Sequence, residues 1–177
     1  MSDLWVFAYG SLMWRPGFEH VGHVTARLSG ARRALCVWSY VHRGTRERPG
    51  LVLGLDRGGS CRGIAYRVAA DKRDAVVAYL RERELVTDVY REVLRPVRLD
   101  TPDRPVVAAL TYVVDREHRQ YAGRLPAEAI LAHVRDGHGR SGANADYVIN
   151  TARHLESLGF RDPILEKVAA ALLGGAR

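Results

Sequence analysis

Asp71-Lys72-Arg73-Asp74-Ala75-Val76-Val77-Ala78-Tyr79-Leu80-Arg81-Glu82-Arg83-Glu84 is the stretch on which the fold class turns. Val76, Tyr79, Leu80 and Arg83 recur three and four apart, with Val77 and Glu84 one row over, which is the spacing of one helix face. Asp71 reads as the N-cap, so a helix is expected from about Lys72 to Glu84. On both sides the pattern is that of strands. Leu4 to Tyr9 is a short buried strand ended by Gly10, and His23 to Trp38 reads as one or two strands interrupted at Ser29-Gly30. Gly50 to Leu55 and Gly63 to Val68 are rich in β-formers, and Asp56-Arg57-Gly58-Gly59-Ser60 between them reads as a hairpin turn. Val89 to Leu99 and Val106 to Val114 alternate like strands around Asp100-Thr101-Pro102-Asp103.

The C-terminal third is helical. Pro126 opens a helix that Gly137 ends, Asn144 to Leu158 is a second, closed by Gly159, and Pro163 after an Asp162 cap opens a third. Gly137 to Ala143 reads as a flexible connection; it follows a helix and lacks the Gly-Lys-Ser/Thr ending of a phosphate-binding loop. Strands, one helix, more strands and then helices make a mixed α+β domain rather than a doubly wound sheet. With no repeat or linker, one domain over residues 1–177 is expected. Closure of the sheet is not written in this pattern.

Hydrophobic residues make up 47% and charged residues 27% of the 177 residues, the composition of an ordinary globular chain. No apolar run approaches the ~18 residues of a membrane span. The start, Met1-Ser2-Asp3-Leu4-Trp5, has no basic stretch, and Cys36 and Cys61 are too few for a disulfide framework. The expectation is a cytoplasmic protein with reduced thiols. The net charge of +7 comes from 27 basic and 20 acidic residues. The basic residues alternate with acids, as in Arg43-Gly44-Thr45-Arg46-Glu47-Arg48, and no nucleic-acid signature accompanies them. They read as a solvated basic surface that also favours a small anionic ligand.

Two features carry candidate chemistry. Tyr9-Gly10-Ser11-Leu12 follows a strand, where glycine permits a positive φ and lets the backbone approach a ligand. Successive amides there form an anion-binding concavity; a plain turn is the alternative. Glu84 is the other. At 100° per residue it falls one turn beyond Leu80 and two beyond Val77, inside the apolar face, with Glu82 at its edge. A carboxylate on such a face is costly unless paired or functional. Burial and the C-terminal end of the helix dipole both raise its pKa, which suits acid/base work near neutral pH. The alternative is an ion pair with Arg83 or Arg81 at a frayed end. His20 with His23, and His133 with His138, have no ligand in a metal-binding spacing. Ser11 and Cys36 have no base placed beside them.

Trp5-Val6-Phe7-Ala8-Tyr9-Gly10-Ser11-Leu12-Met13-Trp14 resembles the N-terminal strand and loop of the ChaC family of γ-glutamyl cyclotransferases. His42-Arg43-Gly44-Thr45 with Arg48-Pro49-Gly50, and Gly63-Ile64-Ala65-Tyr66-Arg67, resemble further segments of that family. Tyr79 to Leu85 resembles the helix end with its glutamate, and Ser141-Gly142-Ala143-Asn144-Ala145-Asp146-Tyr147 its C-terminal signature. These matches run in order from about residue 4 to 165.

The resemblance implies a barrel-like mixed sheet with surrounding helices and cleavage of a γ-glutamyl peptide such as glutathione without metal or cofactor. It implies that Val6, Phe7, Ala8, Tyr9, Gly10, Ser11 and Leu12 hold the γ-glutamyl group through backbone, and that Glu84 is the acid/base. Nearness to a family-like segment makes Arg43, with His42 and Arg48, candidates for the far carboxylate of the peptide. Tyr112 and Tyr147 are candidates for the pocket wall, core packing being the alternative. Leu85-Val86-Thr87-Asp88 stands where some relatives have glycines, and Ala8 where some have glycine. Other functions stay open from sequence: a non-catalytic module for acidic peptides or metabolites, a cyclotransferase for other γ-glutamyl amines or amino acids, and nucleic-acid binding, which would need steeply salt-dependent affinity.

Overall fold

The computed structural model describes residues 1–175. The chain divides into two compact units, one of Met1–Ala34 with Leu55–Asp115, the other of Leu35–Gly54 with the chain from Arg116 onward.

Most of a closed five-stranded barrel falls in the first unit, and two of its strands run on into residues 35–54 of the second. Its strands are β1 (Leu4–Ala8), β2 (Gly22–Ser39), β3 (Gly50–Val68), β4 (Tyr90–Leu99) and β5 (Val106–Val114), in the order β1-β3-β2-β4-β5. The parallel pairing of β1 with β5, Trp5 opposite Ala109 and Val6 opposite Leu110, closes it. The remaining registers that fix it are antiparallel: Val6 opposite Tyr66, Ala26 opposite Leu99, and β4 against β5 from Tyr90–Val114 to Arg98–Val106. Phe7, Leu28, Leu55, Ala65, Val97 and Ala109 are buried together as its core. Closure joins β1 and β5, which would otherwise be the edge strands.

β2 and β3 are each one long strand, which corrects two readings. Ser29-Gly30 does not interrupt β2, and residues 56–60 make no hairpin turn. Gly30 at φ 91°, Gly58 at 96° and Gly59 at 69° instead take left-handed conformations inside continuous strands. Glycine does this without a Cβ clash, so a strand bends and keeps its partner. Asp56 is buried there because Arg32 Nη2 lies 3.2 Å from its Oδ2 and the Arg57 N–H donates to its Oδ1 at 2.8 Å.

A 3-10 turn, Ala70–Lys72, leads into α1 (Arg73–Glu84), which buries Val76 and Leu80. Fully burying a leucine is worth about 1.5–3 kcal/mol. Asp71 lies inside the 3-10 turn and is not the cap; Lys72 holds that position and makes no capping side-chain bond. Asp3 instead accepts the Ala70 N–H, at 3.1 Å.

The second unit contains α2 (Ala127–Asp136), α3 (Asn144–Ser157) and α4 (Pro163–Gly174). Ile130, Val134, Val148, Leu155, Leu165 and Val168 are their buried apolar residues. The expected signals operate: Asp162 Oδ1 accepts the Leu165 N–H at 3.1 Å beside Pro163, and Gly159 follows α3 at φ 75°. Residues 137–144 are not a loose connection. They form a small ladder, β6 (His138–Gly139) with β7 (Gly142–Ala143), and Arg140 and Ser141 donate their N–H groups to Val41 O and His42 O at 2.8 and 2.9 Å.

Candidate active site

β1 ends at Ala8, and the chain turns through Tyr9-Gly10 into a 3-10 turn, Ser11–Met13. Gly10 has φ −128°, so it does not use the left-handed freedom expected of it. Val6, Phe7, Ala8 and Leu12 are buried, Tyr9 and Gly10 half-buried and Ser11 exposed. Carbonyl groups along this segment are already engaged. Phe7 O accepts from Thr111 Oγ1 at 3.0 Å, Tyr9 O from Arg33 Nε at 2.6 Å, Gly10 O from Met13 N at 2.9 Å, and Met13 O from the Tyr66 hydroxyl at 2.6 Å. The first amides of a helical turn have no intrahelical acceptor. The segment is thus held by side chains of β2, β3 and β5.

Glu84 is the last residue of α1, and its side chain retains 19% of its exposure. Burial pushes its carboxyl above the usual range, and the neighbouring Arg83 charge opposes that rise in part. Arg83 is the nearer cation, with Nε 3.6 Å from Glu84 Oε1, too long for a hydrogen bond. Arg81 is not the partner. It makes a two-pronged bond to Glu92 on β4, Nε to Oε2 at 3.0 Å and Nη2 to Oε1 at 2.8 Å. Glu82 is exposed.

The fork of Arg83 reaches the glycine turn: Nη2 donates to Ser11 Oγ at 3.0 Å and Nη1 to Arg15 O at 2.8 Å. The end of α1 and the turn after β1 are therefore joined through one side chain. Tyr112, on β5, is 2% exposed and donates its hydroxyl to Glu92 Oε2 at 3.0 Å. Burial first, then that bond, raises the phenol pKa, and the charge of Glu84 adds to the effect. Arg81 in turn holds Glu92 below the usual carboxylate range. Glu84, Tyr112, Glu92 and Arg81 form one electrostatic group around a half-buried acid. A cavity of about 500 Å³ is also present in this unit, lined by Leu4, Arg73, Val77, Arg81, Glu92 and Leu110 among others, and not by Glu84 or the glycine turn.

Arg43 belongs to the second unit, where its side chain already has partners. Its Nη1 donates to Ala143 O at 3.1 Å, and its guanidinium lies 5.5 Å from the centre of the Tyr147 ring. Tyr147 accepts the Leu53 N–H at 3.0 Å, and Asn144 binds both backbone groups of Leu51. A Cβ at Gly137 would come within 2.7 Å of Arg43 O, and one at Gly50 or Gly139 would also run into backbone of residues 41–43. The family-like segments around residues 42–50 and 141–147 thus tie this unit together. His42 Nδ1 sits 3.0 Å from Ser141 Oγ, and Arg48 is exposed.

Sequence reading missed Arg33, Tyr66, Arg83 and Glu92 as neighbours of the candidate residues. Arg83 was visible only as a possible partner of Glu84. The others had no signal, since their bonds to residues 9, 13 and 112 are made by tertiary pairing. Among the described residues no three His, Cys, Asp or Glu side chains converge as metal ligands, and no helix is long and apolar enough to cross a membrane.

This geometry can be compared with known proteins. Residues 4–173 match the family described as ChaC-like protein, and the chain belongs to that family. A glutathione-specific γ-glutamylcyclotransferase of Escherichia coli is 33% identical over 161 residues, covering 91% of this chain and 69% of that protein. Glutathione-specific γ-glutamylcyclotransferase 1 of Mus musculus is 34% identical over 175 residues, covering 96% and 78%. The crystal structure of a γ-glutamyl cyclotransferase specific to glutathione from yeast superposes with a TM-score of 0.84 at 19% identity, over 99% of this chain and all of that one. That last likeness establishes the barrel fold.

Proposed function

We propose that the chain is a γ-glutamyl cyclotransferase that cleaves glutathione to 5-oxoproline and cysteinylglycine, with Glu84 as the proton carrier. The single observation behind this is the seating of Glu84: a half-buried carboxyl with a raised pKa, joined through Arg83 to the glycine turn. The names of the similar proteins supply the substrate class.

The substrate's own α-amine is the nucleophile. At neutral pH it is an ammonium, and Glu84 as carboxylate takes its proton. The amine nitrogen then attacks the γ-carbonyl carbon and closes a five-membered ring. Holding the γ-glutamyl chain curled makes that attack intramolecular, with the large effective molarity this brings. Donors at the start of the Ser11–Met13 turn face the developing oxyanion, and the buried stretch from Val6 to Leu12 walls the γ-glutamyl group. The oxyanion collapses, the C–N bond to cysteine breaks and protonated Glu84 delivers its proton to the departing nitrogen, while the ring nitrogen gives up its second proton to water, leaving the lactam N–H of 5-oxoproline. A carboxyl whose pKa burial raises suits both halves of this transfer. The reaction needs no metal, nucleotide or covalent enzyme intermediate.

In this reading Tyr112 fixes the polarity around Glu84, and Arg43 frames the second unit through Ala143 O and the Tyr147 ring. We take residues 1–177 as one working domain, acting on a small peptide in the cytoplasm and not on nucleic acid. Incubation with glutathione and chromatographic detection of 5-oxoproline tests the proposal. Release of 5-oxoproline and cysteinylglycine in equal amounts is expected; glutathione left intact, while a panel of γ-glutamyl amino acids and amines is cleaved, would replace the substrate and keep the chemistry.

A further inference from the structure

Glu84 is served by a cation whose geometry goes beyond charge pairing. Arg83 carries five N–H donors in a planar fork. Nη1 is shared by Arg15 O at 2.8 Å, Pro16 O at 3.3 Å and the Tyr79 hydroxyl at 3.1 Å, and Nη2 goes to Ser11 Oγ at 3.0 Å. Every one of these partners except Tyr79, one helical turn earlier, lies in the Ser11–Pro16 segment, about 70 positions away in sequence (separations of 67, 68 and 72). Nε is left over and stands 3.6 Å from Glu84 Oε1. The side chain is 24% exposed; its bonds to Arg15 O and Ser11 Oγ lie at the exposed end of the fork, and those to Pro16 O and the Tyr79 hydroxyl are part-buried.

We propose that Arg83 is a positioning residue of the cyclotransferase reaction: its fork locks the turn that holds the γ-glutamyl group onto the end of α1, and its Nε holds the proton carrier in the ionised state that begins the cycle. The inference rests on the reading of Glu84 given above. The fork fixes the distance between the carbonyl being attacked and the group moving the proton, and an error of about 1 Å in such a distance costs on the order of 100-fold in rate. Nε works against the burial of Glu84, which by itself favours the protonated form. The other groups around Glu84 do not supply this. Tyr112 from β5 is a neutral phenol, and Glu92 from β4 is an anion already matched by Arg81 of α1.

The test is steady-state cleavage of glutathione across the neutral pH range by Arg83→Met and Arg83→Lys, with Glu84→Gln alongside. Arg83→Met loses fork and charge. Its kcat falls by about 10- to 100-fold with a smaller change in KM, and the acid limb of its kcat/KM profile moves to higher pH. Arg83→Lys keeps the charge and loses the fork, so its kcat falls while the limb stays near the wild-type position. A merely structural arginine would lower the melting temperature of both variants and leave the limb of both in place; that result, or a wild-type kcat in Arg83→Met, overturns the proposal. Should Arg83→Met fail to fold, Tyr79→Phe and Arg83→Lys decide: wild-type kcat in both overturns it. Glu84→Gln separates the two readings. An active Glu84→Gln rejects the proton carrier, whereas an inactive one beside an unaffected Arg83→Met rejects only the role of Arg83.

Discussion

Replacing Asn144 by Ala removes the pin that holds α3 to β3 in the second unit. Asn144 is fully buried; its Oδ1 accepts the Leu51 N–H at 2.8 Å, and its Nδ2 donates to Leu51 O at 2.9 Å. Leu51 is itself fully buried, so water has no easy access to replace either bond. A buried backbone group left without a partner costs ~1–3 kcal/mol, so two cost roughly 2–6 kcal/mol. For a chain of this size that lowers the midpoint of thermal unfolding by about 5 °C or more. Asn144→Asp sharpens the argument. The ionised acid still accepts from Leu51 N–H but faces Leu51 O with a second oxygen. Protonation restores a donor, so the folded state raises the pKa of the new acid. The deficit is therefore full above that pKa and shrinks as pH falls through it. Urea titrations followed by circular dichroism at neutral and mildly acidic pH measure both effects. A loss below about 0.5 kcal/mol in Asn144→Ala, or an Asn144→Asp deficit that does not shrink on acidification, refutes this account of the pin.

Two further outcomes follow from the site. Glu84→Gln should stabilise the protein at neutral pH, because the folded state disfavours the ionised acid; that advantage is present above the folded pKa of Glu84 and vanishes below the unfolded one. Thermal melts of both proteins at neutral and acidic pH check it, and a Glu84→Gln protein no more stable at neutral pH contradicts it. Tyr66→Phe removes the donor to Met13 O at 2.6 Å and should cost about 1–2 kcal/mol of stability by denaturant titration, together with a fall in kcat as the turn loosens.

Much of this was legible in the chain because local rules decide it. The period of Val76, Leu80 and Glu84 put an acid on the packed face of α1, and Pro163 with Asp162 and Gly159 marked helix boundaries that the structure repeats. What was not legible depends on partners far away in sequence. Gly30 and Gly58-Gly59 look like turns, yet β2 and β3 run through them because cross-strand pairing keeps each strand in register. Closure of the barrel needs Trp5 to meet Ala109, which no local pattern announces. The ladder at residues 138–143 is too short to leave a period. In the site, Glu84 and the glycine turn were readable one by one, but the arms that hold them, Arg33 to Tyr9 O and Arg83 to Ser11, belong to long side chains with no sequence signature.

The seating of a single carboxyl at the end of α1 is the center of the account, and turnover of glutathione by Glu84→Gln, with Glu82→Gln as its neighbour control, tests it most directly. The expected result is a loss of about 100-fold or more in 5-oxoproline formation for Glu84→Gln in a protein that stays folded, and near wild-type turnover for Glu82→Gln. Turnover retained in Glu84→Gln, or lost instead in Glu82→Gln, would contradict it.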